Sequence, residues 1–534
     1  MDAQAVSELR SRLESFQQGH LLQFWEQLDD VQKQSLFDDL SSIDLRKVTD
    51  YYKRTTRQTG GGGGTERSDE SLRPVPDELS GSVSRMKSDE QGHYNTLGLQ
   101  AISEGKVAAL LLAGGQGTRL GVPYPKGMYD VGLLSSKPLY QLQAERILRL
   151  QHLAKKQSGV DCTIPWYIMT SEHTKGKTEE FFVQHDHFGL NASDVVIFEQ
   201  DMLPCFAFDG KIILESTHQV ARAPNGNGGL YQALGTHGIV TDMRQRGITC
   251  MHVYGVDNIL VKVCDPVFIG FCQTKNADCG AKVVKKAFPT EPVGVICQVD
   301  NHFEVVEYSE ITLQTAEKRR ADGQLVYNAG NICNHYFTTD FVESVIDQYE
   351  DMLSHHVAKK KIPSVRADGT PYKPSVPNGI KMEKFVFDIF QFSQQFAVLE
   401  VLREDEFSPL KNGPSAEKDS PQTCCQALQS MHYRWVLAAG GKFVDGAGSV
   451  RPLIPPLSPS ARSQSSECCE VSPLVSYAGE GLSEKVAGKS FLMPILFDAD
   501  GMDLTSGDGV QVKCISNGNG SDRGEPAPKA SRLA

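Results

Sequence analysis

The spacing of apolar residues divides the chain into stretches of different character. Residues 4–55 repeat leucine, phenylalanine and tryptophan at intervals near three and four, which predicts an arm of helices that each bury one face. Residues 56–76 are polar and contain five consecutive glycines, so they are typical of a flexible linker or a surface loop. From residue 107 short apolar runs alternate with amphipathic segments, and beyond about residue 412 this alternation breaks down. The middle stretch therefore favours a doubly wound α/β sheet, followed by a small C-terminal domain.

Run length and periodicity predict the individual elements of the α/β part. Strands are predicted at 107–113, 164–170, 195–198 and 249–256, and helices at 139–156, 178–187, 231–246 and 339–353. A hairpin is expected at Asp209-Gly210, added strands in 280–338, and a helix and a strand in 384–403. The predicted domains are a helical arm at 1–56, a linker at 57–76, an α/β domain at 77–411, a small domain at 412–515 and a disordered tail at 516–534.

The first apolar run of the α/β part ends abruptly in glycine. Its length suits a buried parallel strand, and Gly114, Gly115 and Gly117 follow it. Glycines can take positive φ and let backbone N–H groups approach a ligand, which makes a concave anion site of the kind that holds phosphates. Arg119 and Lys126 add positive charge to this loop. A tight turn without a ligand explains the loop less well, because such a turn needs neither three glycines nor two cations.

Two commoner phosphate motifs do not match this loop. The dinucleotide fingerprint requires a glycine three residues after Gly117, where the chain has Leu120. The Walker A motif requires a glycine five residues before its Gly-Lys-Ser/Thr, and the two such tripeptides, at 176–178 and 488–490, have serine at that place. The sequence therefore predicts neither a P-loop NTPase nor a dinucleotide-dependent dehydrogenase.

Net charge and cysteine content narrow the function classes further. The formal net charge of -12 argues against nucleic acid as the main partner, although an acidic protein can keep a basic pocket for phosphates. The first residues lack the apolar core of a signal peptide, and no apolar run approaches the length of a membrane helix. Thirteen cysteines without a CxxC pair are typical of reduced thiols. We therefore expect a soluble, cytoplasmic protein without a membrane partner.

Three further places carry candidate chemistry, and each has a structural alternative. Asp257 follows the predicted strand at 249–256, where one carboxylate with phosphate oxygens and water suffices to hold Mg²⁺. The alternative is a turn or helix N-cap aspartate. Residues 223–231 form a second glycine-rich loop, whose two Asn-Gly pairs would also suit a hairpin turn. The cluster at 185–187, His-Asp-His, offers no third metal ligand and is expected to be a polar helix end.

The longer string LAGGQGTRLGVPYPKGMYDVGL, residues 112–133, resembles the signature of the sugar nucleotidyltransferases and is close to that of the eukaryotic UDP-N-acetylhexosamine pyrophosphorylases. The resemblance covers roughly residues 95–415. It implies a Rossmann-like nucleotidyltransferase domain with an N-terminal helical arm and a small β-rich C-terminal domain. It also implies a uridylyltransferase that makes UDP-N-acetylglucosamine from UTP and the sugar 1-phosphate, with N-acetylgalactosamine 1-phosphate as a second substrate.

The resemblance also implies roles for individual residues. The implied UTP contacts are Leu112, Ala113, Gly114, Gly115, Lys126, Gln200, Gly226, Asp257 and Lys381. The implied sugar-phosphate contacts are Asn227, Glu307, Tyr308, Asn331 and Lys411. The implied catalytic cations are Arg119, Lys126 and Lys411, and the implied Mg²⁺ ligand is Asp257. Taken alone, residues 307, 308 and 331 are typical of strand faces or turns, and the two late lysines are typical of a solvated surface.

The expected reaction is an in-line attack by an oxygen of the sugar 1-phosphate on the α-phosphorus of UTP. The attacking phosphate is already an anion, so no general base is required, and the protein has to position the reactants and neutralise charge. UTP, an N-acetylhexosamine 1-phosphate and Mg²⁺ are the expected partners, and the sequence is compatible with a homo-oligomer. Two alternatives stay open: a uridylyltransferase for glucose 1-phosphate or another unsubstituted sugar 1-phosphate, and a non-catalytic scaffold that binds nucleotide sugars.

Overall fold

The computed structural model describes residues 2–60, 69–445, 447–451, 468–499 and 501–502. The predicted tail at 516–534 lies outside these residues. The described residues form two compact units. The first takes them from Met1–Gly132 and Lys137–Cys425, and the second from Leu133–Ser136 and from Gln426 onward.

The bounds of the elements are as follows. The α-helices are α1 (Ala3–Ser15), α2 (Asp30–Ser42), α3 (Leu45–Gly60), α4 (Ser88–Ser103), α5 (Leu139–Ser158), α6 (Lys175–Gln184), α7 (Leu230–Thr236), α8 (Ile239–Gln245), α9 (Pro266–Thr274), α10 (Leu313–Ala316), α11 (Thr339–Ser344), α12 (Arg403–Glu406), α13 (Pro421–Ala438) and α14 (Ser483–Val486). The strands are β1 (Leu72–Pro74), β2 (Ser80–Ser82), β3 (Val107–Leu112), β4 (Trp166–Thr170), β5 (Val195–Glu199), β6 (Met202–Pro204), β7 (Phe206–Ala207), β8 (Leu214–Ser216), β9 (Gln219–Val220), β10 (Arg222–Pro224), β11 (Cys250–Gly255), β12 (Cys279–Lys285), β13 (Val295–Val299), β14 (His302–Val306), β15 (Ala329–Thr338), β16 (His356–Lys360), β17 (Ser364–Val365), β18 (Pro371–Tyr372), β19 (Gly379–Glu383), β20 (Phe396–Glu400), β21 (Lys442–Val444), β22 (Val450–Arg451), β23 (Cys469–Val471), β24 (Ser490–Phe491), β25 (Ile495–Asp498) and β26 (Gly501–Met502).

A mixed sheet forms the centre of the first unit. Its main run has the strand order β2-β20-β12-β15-β11-β3-β4-β5. Neighbours in this run pair in parallel, except that β15 is antiparallel to both β12 and β11. The antiparallel strands β13, β14 and β1 extend the sheet beside β15. The predicted α/β sheet is confirmed, and β13, β14 and β15 fall within 280–338 as expected, whereas β1 lies outside that range.

Helices cover both faces of this sheet because its central strands are apolar on both sides. All six residues of β3 are buried. Ala108 and Leu110 belong to a core cluster that also takes in side chains of α7, α8 and α11. On the opposite face Tyr140 of α5 packs edge-on against Trp166 of β4, with 6.5 Å between the ring centroids. The doubly wound arrangement predicted from the sequence is therefore present.

One predicted helix is two helices in the structure. The segment predicted as a single helix at 231–246 breaks between α7 and α8, where Gly238 takes a φ of 65° that a helix interior does not allow. The helix predicted at 178–187 begins and ends three residues earlier, and His187 follows it with a left-handed φ of 49°. Residues 185–187 are thus a helix end. Within the described part of the chain, no cluster of three His, Cys, Asp or Glu residues could hold a metal.

The segment predicted as a linker is ordered at both ends. α3 continues to Gly60, and β1 begins at Leu72 and pairs with β13. Leu72 is buried, and so is Val75 just after the strand, so two apolar side chains in a polar stretch anchor this segment. Residues 61–68, with most of the glycine run, lie outside the described residues.

The N-terminal arm packs on the rest of the first unit through an apolar cluster. Leu13 and Leu36 are fully buried in this cluster, which also contains Phe206 of β7 and Ile380 of β19. β7, β19 and β16 form a separate three-stranded sheet. The helical periodicity of residues 4–55 is therefore confirmed, and the apolar face that it predicts is covered by that small sheet.

The second unit has a small core of its own. The end of α13 packs with side chains of two three-stranded sheets, β22-β21-β24 and β23-β25-β26. Tyr433 of α13 stacks on Phe443 of β21, with 4.1 Å between the ring centroids. This is the small β-containing C-terminal part that the sequence predicts.

Two further findings concern membrane-spanning helices and cysteines among the described residues. None of their helices is long and apolar enough to cross a membrane. The twelve cysteines that the structure describes are thiols, and none of these twelve forms a disulfide.

A buried ionic cluster lies beneath the carboxyl ends of the central strands. Lys282 of β12 is 0% exposed, and its Nζ lies 2.5 Å from Oδ2 of Asp265 and 2.5 Å from Oε2 of Glu406. Lys262 adds a second cation, 3.3 Å from Oε1 of Glu406. Burial alone would raise the pKa of Asp265, but the two lysines outweigh burial and lower that pKa. The four side chains thus compensate one another in an apolar interior.

Removing the central cation should therefore destabilise the first unit strongly. We expect Lys282→Met, which keeps the side-chain volume, to lower the free energy of unfolding by about 3–5 kcal/mol, because it leaves two buried carboxylates facing one lysine. The control is Lys285→Met on the same strand, whose half-exposed pair with Glu400 should contribute at most about 1 kcal/mol. Urea unfolding of both variants measures the difference. Equal losses would show that the buried charge is not what stabilises this region.

Candidate active site

The glycine loop leaves the sheet beside the loop that carries Asp257. β3 and β11 are parallel neighbours, with Leu112 opposite Gly255, so both chains emerge at the same edge of the sheet. The backbone N–H of Val256 donates to the oxygen of Leu112 at 3.2 Å, and that of Ala113 donates to Met169 at 2.7 Å. Hydrogen bonds of the sheet therefore fix the start of both loops.

Two glycines of this loop, Gly114 and Gly117, allow a close approach of neighbouring groups, and none of the three provides a positive φ. Gly114, Gly115 and Gly117 all lack positive φ, and the left-handed residue is Gly121, with a φ of 77°. A Cβ on Gly114 would overlap the amide of Gln200, and a Cβ on Gly117 would overlap the next turn of the loop. The loop folds tightly on itself and leaves Gly115 exposed.

Three cations and one carboxylate of the prediction come together at this edge. Burial lowers the pKa of Lys126, the charge of Asp257 opposes this shift, and the charges of Lys411 and Arg119 add to it. Lys126 Nζ donates to the carbonyl oxygen of Leu410 at 2.9 Å. Arg119 and Lys411 are exposed and form no hydrogen bond or ion pair through their side chains with another described residue. The group therefore carries positive charge that the protein does not neutralise.

Asp257 is the acidic member of this group. It is half-buried, and no described residue forms a hydrogen bond or ion pair with its carboxylate. Its backbone oxygen accepts a hydrogen bond from the N–H of Leu410 at 2.8 Å. Asp257 therefore lies in the turn after β11 and is not a helix N-cap, and its carboxylate has no hydrogen-bond or ion-pair partner among the described residues.

Asn258 holds the two parts of the group together, and the sequence did not reveal this role. Its Nδ2 donates to the backbone oxygen of Glu406 at 2.7 Å, and its Oδ1 accepts from the N–H of Ser408 at 3.0 Å. The segment 406–411 is thereby fixed against the loop that bears Asp257. Asn258 was visible in the sequence only as the neighbour of Asp257, because its partners are about 150 residues away in the chain.

The second glycine-rich loop leads into a helix and is not a hairpin. Residues 227–229 form a 3₁₀ turn that continues into α7. Gly226 has a φ of 80°, and a Cβ there would overlap the carbonyl oxygen of Lys384. The same oxygen accepts from the N–H of Gly228 at 2.9 Å, and Asn227 Oδ1 accepts from the N–H of Val386 at 3.0 Å. Residues 384–386 therefore shape this loop, which we call the base loop (225–229).

Gln200 joins the two glycine loops. Its side chain lies against Gly114, and its Oε1 is 3.4 Å from the place where a Cβ of Gly229 would be. Gln200 is 5% exposed, and no described residue supplies a hydrogen bond to its Oε1. A buried amide oxygen without a partner is an acceptor available to a ligand donor, after a small movement of the side chain.

The predicted sugar residues approach the same group from β14 and β15. Burial, with a contribution from Glu310, raises the pKa of Glu307, and the nearby charges of His356 and Lys411 oppose this shift. Asn331 Oδ1 accepts from the N–H of Cys333 at 3.2 Å. Burial, with the charge of Asp257, raises the pKa of the Cys333 thiol to about 12, and Lys411 opposes it. Glu307 and the Asn331 segment thus both lie near Lys411.

Two predicted residues stand apart from these contacts. Tyr308 is 50% exposed beside Glu307. Lys381 lies on β19, two residues before Glu383. The Cβ of Glu383 is 3.0 Å from the position that a Cβ on Gly226 would occupy. Among the residues described, no hydrogen bond or ion pair joins Lys381 to the Lys126 group. Strand alternation puts Lys381 on the same face of β19 as Glu383, and therefore towards the base loop.

The geometry can be compared with known proteins. The family model for UTP–glucose-1-phosphate uridylyltransferase matches residues 49–449, which is most of the chain. The chain belongs to this family.

Members of the family with closely similar sequences and structures carry amino-sugar names. The human "UDP-N-acetylhexosamine pyrophosphorylase-like protein 1" is 52% identical over 494 residues, covering 92% of this chain and 97% of that protein. The UDP-N-acetylglucosamine pyrophosphorylase of Saccharomyces cerevisiae is 42% identical over 408 residues, covering 76% and 80%. A crystal structure of a UDP-N-acetylglucosamine pyrophosphorylase from Entamoeba histolytica, described in its name as putative, superposes with a TM-score of 0.71 at 34% identity, covering 80% of this chain and all of that one. The resemblance stated from the sequence is thereby confirmed.

An imidazole–carboxylate pair next to the base loop was not found from the sequence. His356 Nε2 lies 3.1 and 3.2 Å from the two oxygens of Asp388, which also accepts from the N–H of Phe385 at 2.7 Å. The His356 ring stacks on Phe385, with 4.3 Å between centroids. Burial would lower the pKa of His356, but the hydrogen bond and charge of Asp388 outweigh burial, and the net shift is upward.

This pair predicts a pH-dependent contribution to stability. Because the folded pKa of His356 is raised, its stabilising effect is fully present below the unfolded pKa of about 6.5 and is lost as the pH rises through the folded value. We expect the difference in unfolding free energy between the wild type and His356→Gln to be largest in mild acid and to shrink above neutrality. Urea unfolding between mild acid and mild alkali measures it, with the exposed His302→Gln as the control. A difference that does not change with pH would contradict the assignment.

Proposed function

We propose that this protein is a uridylyltransferase that converts UTP and an N-acetylhexosamine 1-phosphate to the UDP-N-acetylhexosamine and pyrophosphate. N-acetylglucosamine 1-phosphate is the proposed main substrate and N-acetylgalactosamine 1-phosphate the second. The observation that carries the proposal is the group of cations at the glycine loop, Arg119, Lys126 and Lys411, which one nearby Asp257 does not neutralise. Beside this group lie the base loop and the available amide acceptor of Gln200. A polyphosphate attached to a base and to a sugar has the charge and the length to suit this arrangement.

The names of the relatives support the amino sugar over glucose. The yeast relative is named a UDP-N-acetylglucosamine pyrophosphorylase, and the human relative is named as similar to a UDP-N-acetylhexosamine pyrophosphorylase. The family model is named after glucose 1-phosphate, which is the substrate of the alternative uridylyltransferase. The scaffold alternative is less favoured, since a protein without catalysis would not need Arg119, Lys126, Asp257 and Lys411 together.

Charge and position account for the chemistry. The oxygen of the sugar 1-phosphate would attack the α-phosphorus of UTP in line, and pyrophosphate would leave. Lys411 would hold the incoming phosphate against its repulsion from the triphosphate. Arg119 and Lys126 would stabilise the triphosphate and the departing pyrophosphate, with the N–H groups of Gly114 and Gly115 alongside. Lys126 needs little reorganisation for this, because Leu410 already holds its ammonium group.

Asp257 suits the proposed Mg²⁺. Its carboxylate lies beside Lys126 and Lys411, and no described residue competes for its oxygens. A hard divalent cation prefers one or two carboxylates with phosphate oxygens and water, so the lack of a three-residue metal cluster in the described part of the chain is compatible with this role. When bound, Mg²⁺ would supply charge neutralisation at the phosphate oxygens.

The remaining predicted residues are proposed to bind the two ends of the substrates. Gln200 would form two hydrogen bonds with the edge of the uracil, next to Gly226. Its side-chain amide would be the donor in one and the acceptor in the other. The backbone of Leu112 and Ala113 would approach the nucleotide from β3, and Lys381 would reach it from β19. The proposed sugar contacts are Glu307, Tyr308, Asn331 and Asn227. Asn227 would use its Nδ2, since its Oδ1 already accepts from Val386.

The cytoplasm is the proposed compartment, because the described cysteines are thiols and thiols persist in a reducing compartment. No nucleic-acid or membrane partner is part of the proposal.

Loss of one cation should reduce turnover sharply. We expect Arg119→Ala and Lys126→Met each to lower kcat by about 100-fold, equivalent to about 3 kcal/mol of transition-state stabilisation. The control is Arg85→Ala, an exposed arginine outside the site, which should change kcat by less than about twofold. Initial rates of pyrophosphate release, on variants whose Tm is checked first, provide the measurement. Unchanged kcat in both site variants would contradict the proposed roles.

The substrate is tested by comparing three sugar phosphates. Pyrophosphate release from UTP and Mg²⁺ should be much faster with the 1-phosphates of N-acetylglucosamine and N-acetylgalactosamine than with glucose 1-phosphate. Turnover with glucose 1-phosphate alone would move the assignment to the other uridylyltransferase class. No turnover with any of them, from protein that UDP-N-acetylglucosamine still stabilises thermally, would favour the scaffold.

A further inference from the structure

A buried histidine touches the base loop from behind. His355 precedes β16 and is 5% exposed. Its Nε2 lies 3.2 Å from Oδ1 of Asn225, the first residue of the base loop. Burial, with the charges of Lys384 and Arg54, lowers the pKa of His355 to about 3. The ring is therefore neutral at physiological pH, and since an amide oxygen only accepts, Nε2 carries the proton that it donates to Asn225.

The other face of this histidine is covered by the N-terminal arm. Tyr51 of α3 is 3% exposed, and its ring lies against His355 with 4.2 Å between centroids and a tilt of 43°. An aromatic contact of this kind adds to the burial of both rings and limits the orientations that the imidazole can take. A side chain of the arm thus determines where the Nε2–H of His355 points.

A second connection reaches the base loop through Lys384. The backbone of Lys384 donates to the oxygen of Asn225 at 2.8 Å and accepts from Gly228 at 2.9 Å. The side chain of Lys384 is 0% exposed, and its Nζ lies 2.5 Å from Oε1 of Glu350 and 5.6 Å from the centroid of the Tyr51 ring. The backbone of this residue therefore shapes the base loop, while its side chain is held under the arm.

The arm also positions Glu350, whose carboxylate forms the ion pair with Lys384. Lys47, one turn before Tyr51 in α3, lies 4.0 Å from Oε2 of Glu350 and 3.1 Å from Oδ1 of Asp351. Arg54 Nη1 donates to the backbone oxygen of Asp351 at 3.4 Å. One face of α3 therefore contacts both elements that support the base loop.

We propose that the N-terminal arm is part of the nucleotide site, in which Tyr51 and His355 act as positioning residues that hold the base loop in its uracil-binding shape. The inference rests on the proposed function, because it takes Gly226 and its neighbours as the uracil contact. Among the described residues the arm contacts the supports of the base loop at His355 and Lys384, so loss of these contacts should weaken UTP binding most. The sugar-phosphate side should change little, because Asn227 alone of its proposed contacts lies in the base loop, and Glu307, Tyr308 and Asn331 lie on or beside β14 and β15.

The test separates the Michaelis constants of the two substrates. We expect His355→Ala and Tyr51→Leu to raise the KM for UTP about tenfold, the usual effect of one lost buried hydrogen bond, with the KM for N-acetylglucosamine 1-phosphate within about twofold of wild type. His355→Gln, whose Nε2–H can reach the same acceptor, should restore most of the UTP affinity. Tyr51→Phe, which keeps the ring contact, should behave as the wild type does.

The matched control is Leu13→Ala in the same arm. Leu13 is fully buried in the arm cluster, and it takes no part in the hydrogen bond, ring contact and ion pair of His355 and Lys384 described above. It should lower the Tm by destabilising the arm and leave the KM for UTP unchanged. If His355→Ala does not fold, Tyr51→Leu and His355→Gln still provide the comparison.

The outcomes are distinct. A KM for UTP that is unchanged in folded Tyr51→Leu and His355→Ala overturns the inference, and so does an equal rise in Leu13→Ala, because the effect would then follow general destabilisation. A wild-type protein without turnover of UTP would instead overturn the proposed function itself. Titration calorimetry of UTP against the same variants should show the same tenfold loss of affinity.

Discussion

The centre of the first unit depends on one electrostatic constraint. Positive charge is concentrated there without enough carboxylates to neutralise it. Lys126, Arg119 and Lys411 come together at one edge of the sheet, with the carboxylate of Asp257 among them and that of Glu307 near Lys411. Such a group is unfavourable in the absence of a ligand, because like charges repel and burial penalises the lysine. Rigid attachment to the fold has to maintain it. An anionic substrate would then be stabilised without further reorganisation of the protein.

The attachments are backbone hydrogen bonds and a buried ionic cluster. β3 and β11 are parallel neighbours, so the glycine loop and the loop of Asp257 begin at the same edge of the sheet. Asn258 joins the loop of Asp257 to residues 406–411 by two hydrogen bonds. The carboxylate of Glu406 is in turn held by Lys282, which is fully buried. A chain of contacts therefore runs from the interior of the sheet to the exposed lysine at 411. The base loop has the same kind of support, through Lys384 and His355, on the side of the arm.

Local patterns were sufficient to predict the main elements, and they pointed to the charged side chains that the structure brings together beside the glycine loop. The buried run of β3, the glycines after it and Asp257 after β11 are all close in sequence to the features that reveal them. Two of the residues that were missed, Asn258 and His355, act through partners that are distant in the chain, with separations of 148 and 130 residues. A single sequence contains no signal for such contacts.

Errors in the prediction of elements have a similar origin. The break in the predicted helix follows from the positive φ of Gly238, and strand β1 follows from the pairing of Leu72 with β13. The periodicity of apolar residues along the chain indicates neither. The glycines of the first loop were identified correctly as special, but for a different physical reason: Gly114 and Gly117 leave room for neighbouring groups, and neither has a positive φ.

A crystal structure of the protein with UDP-N-acetylglucosamine and Mg²⁺ would test the central claim most directly. The account predicts the diphosphate between Lys126, Arg119 and Lys411, the metal on Asp257, and the uracil between Gln200 and Gly226. A nucleotide sugar bound elsewhere, or a diphosphate that none of the three cations contacts, would contradict it.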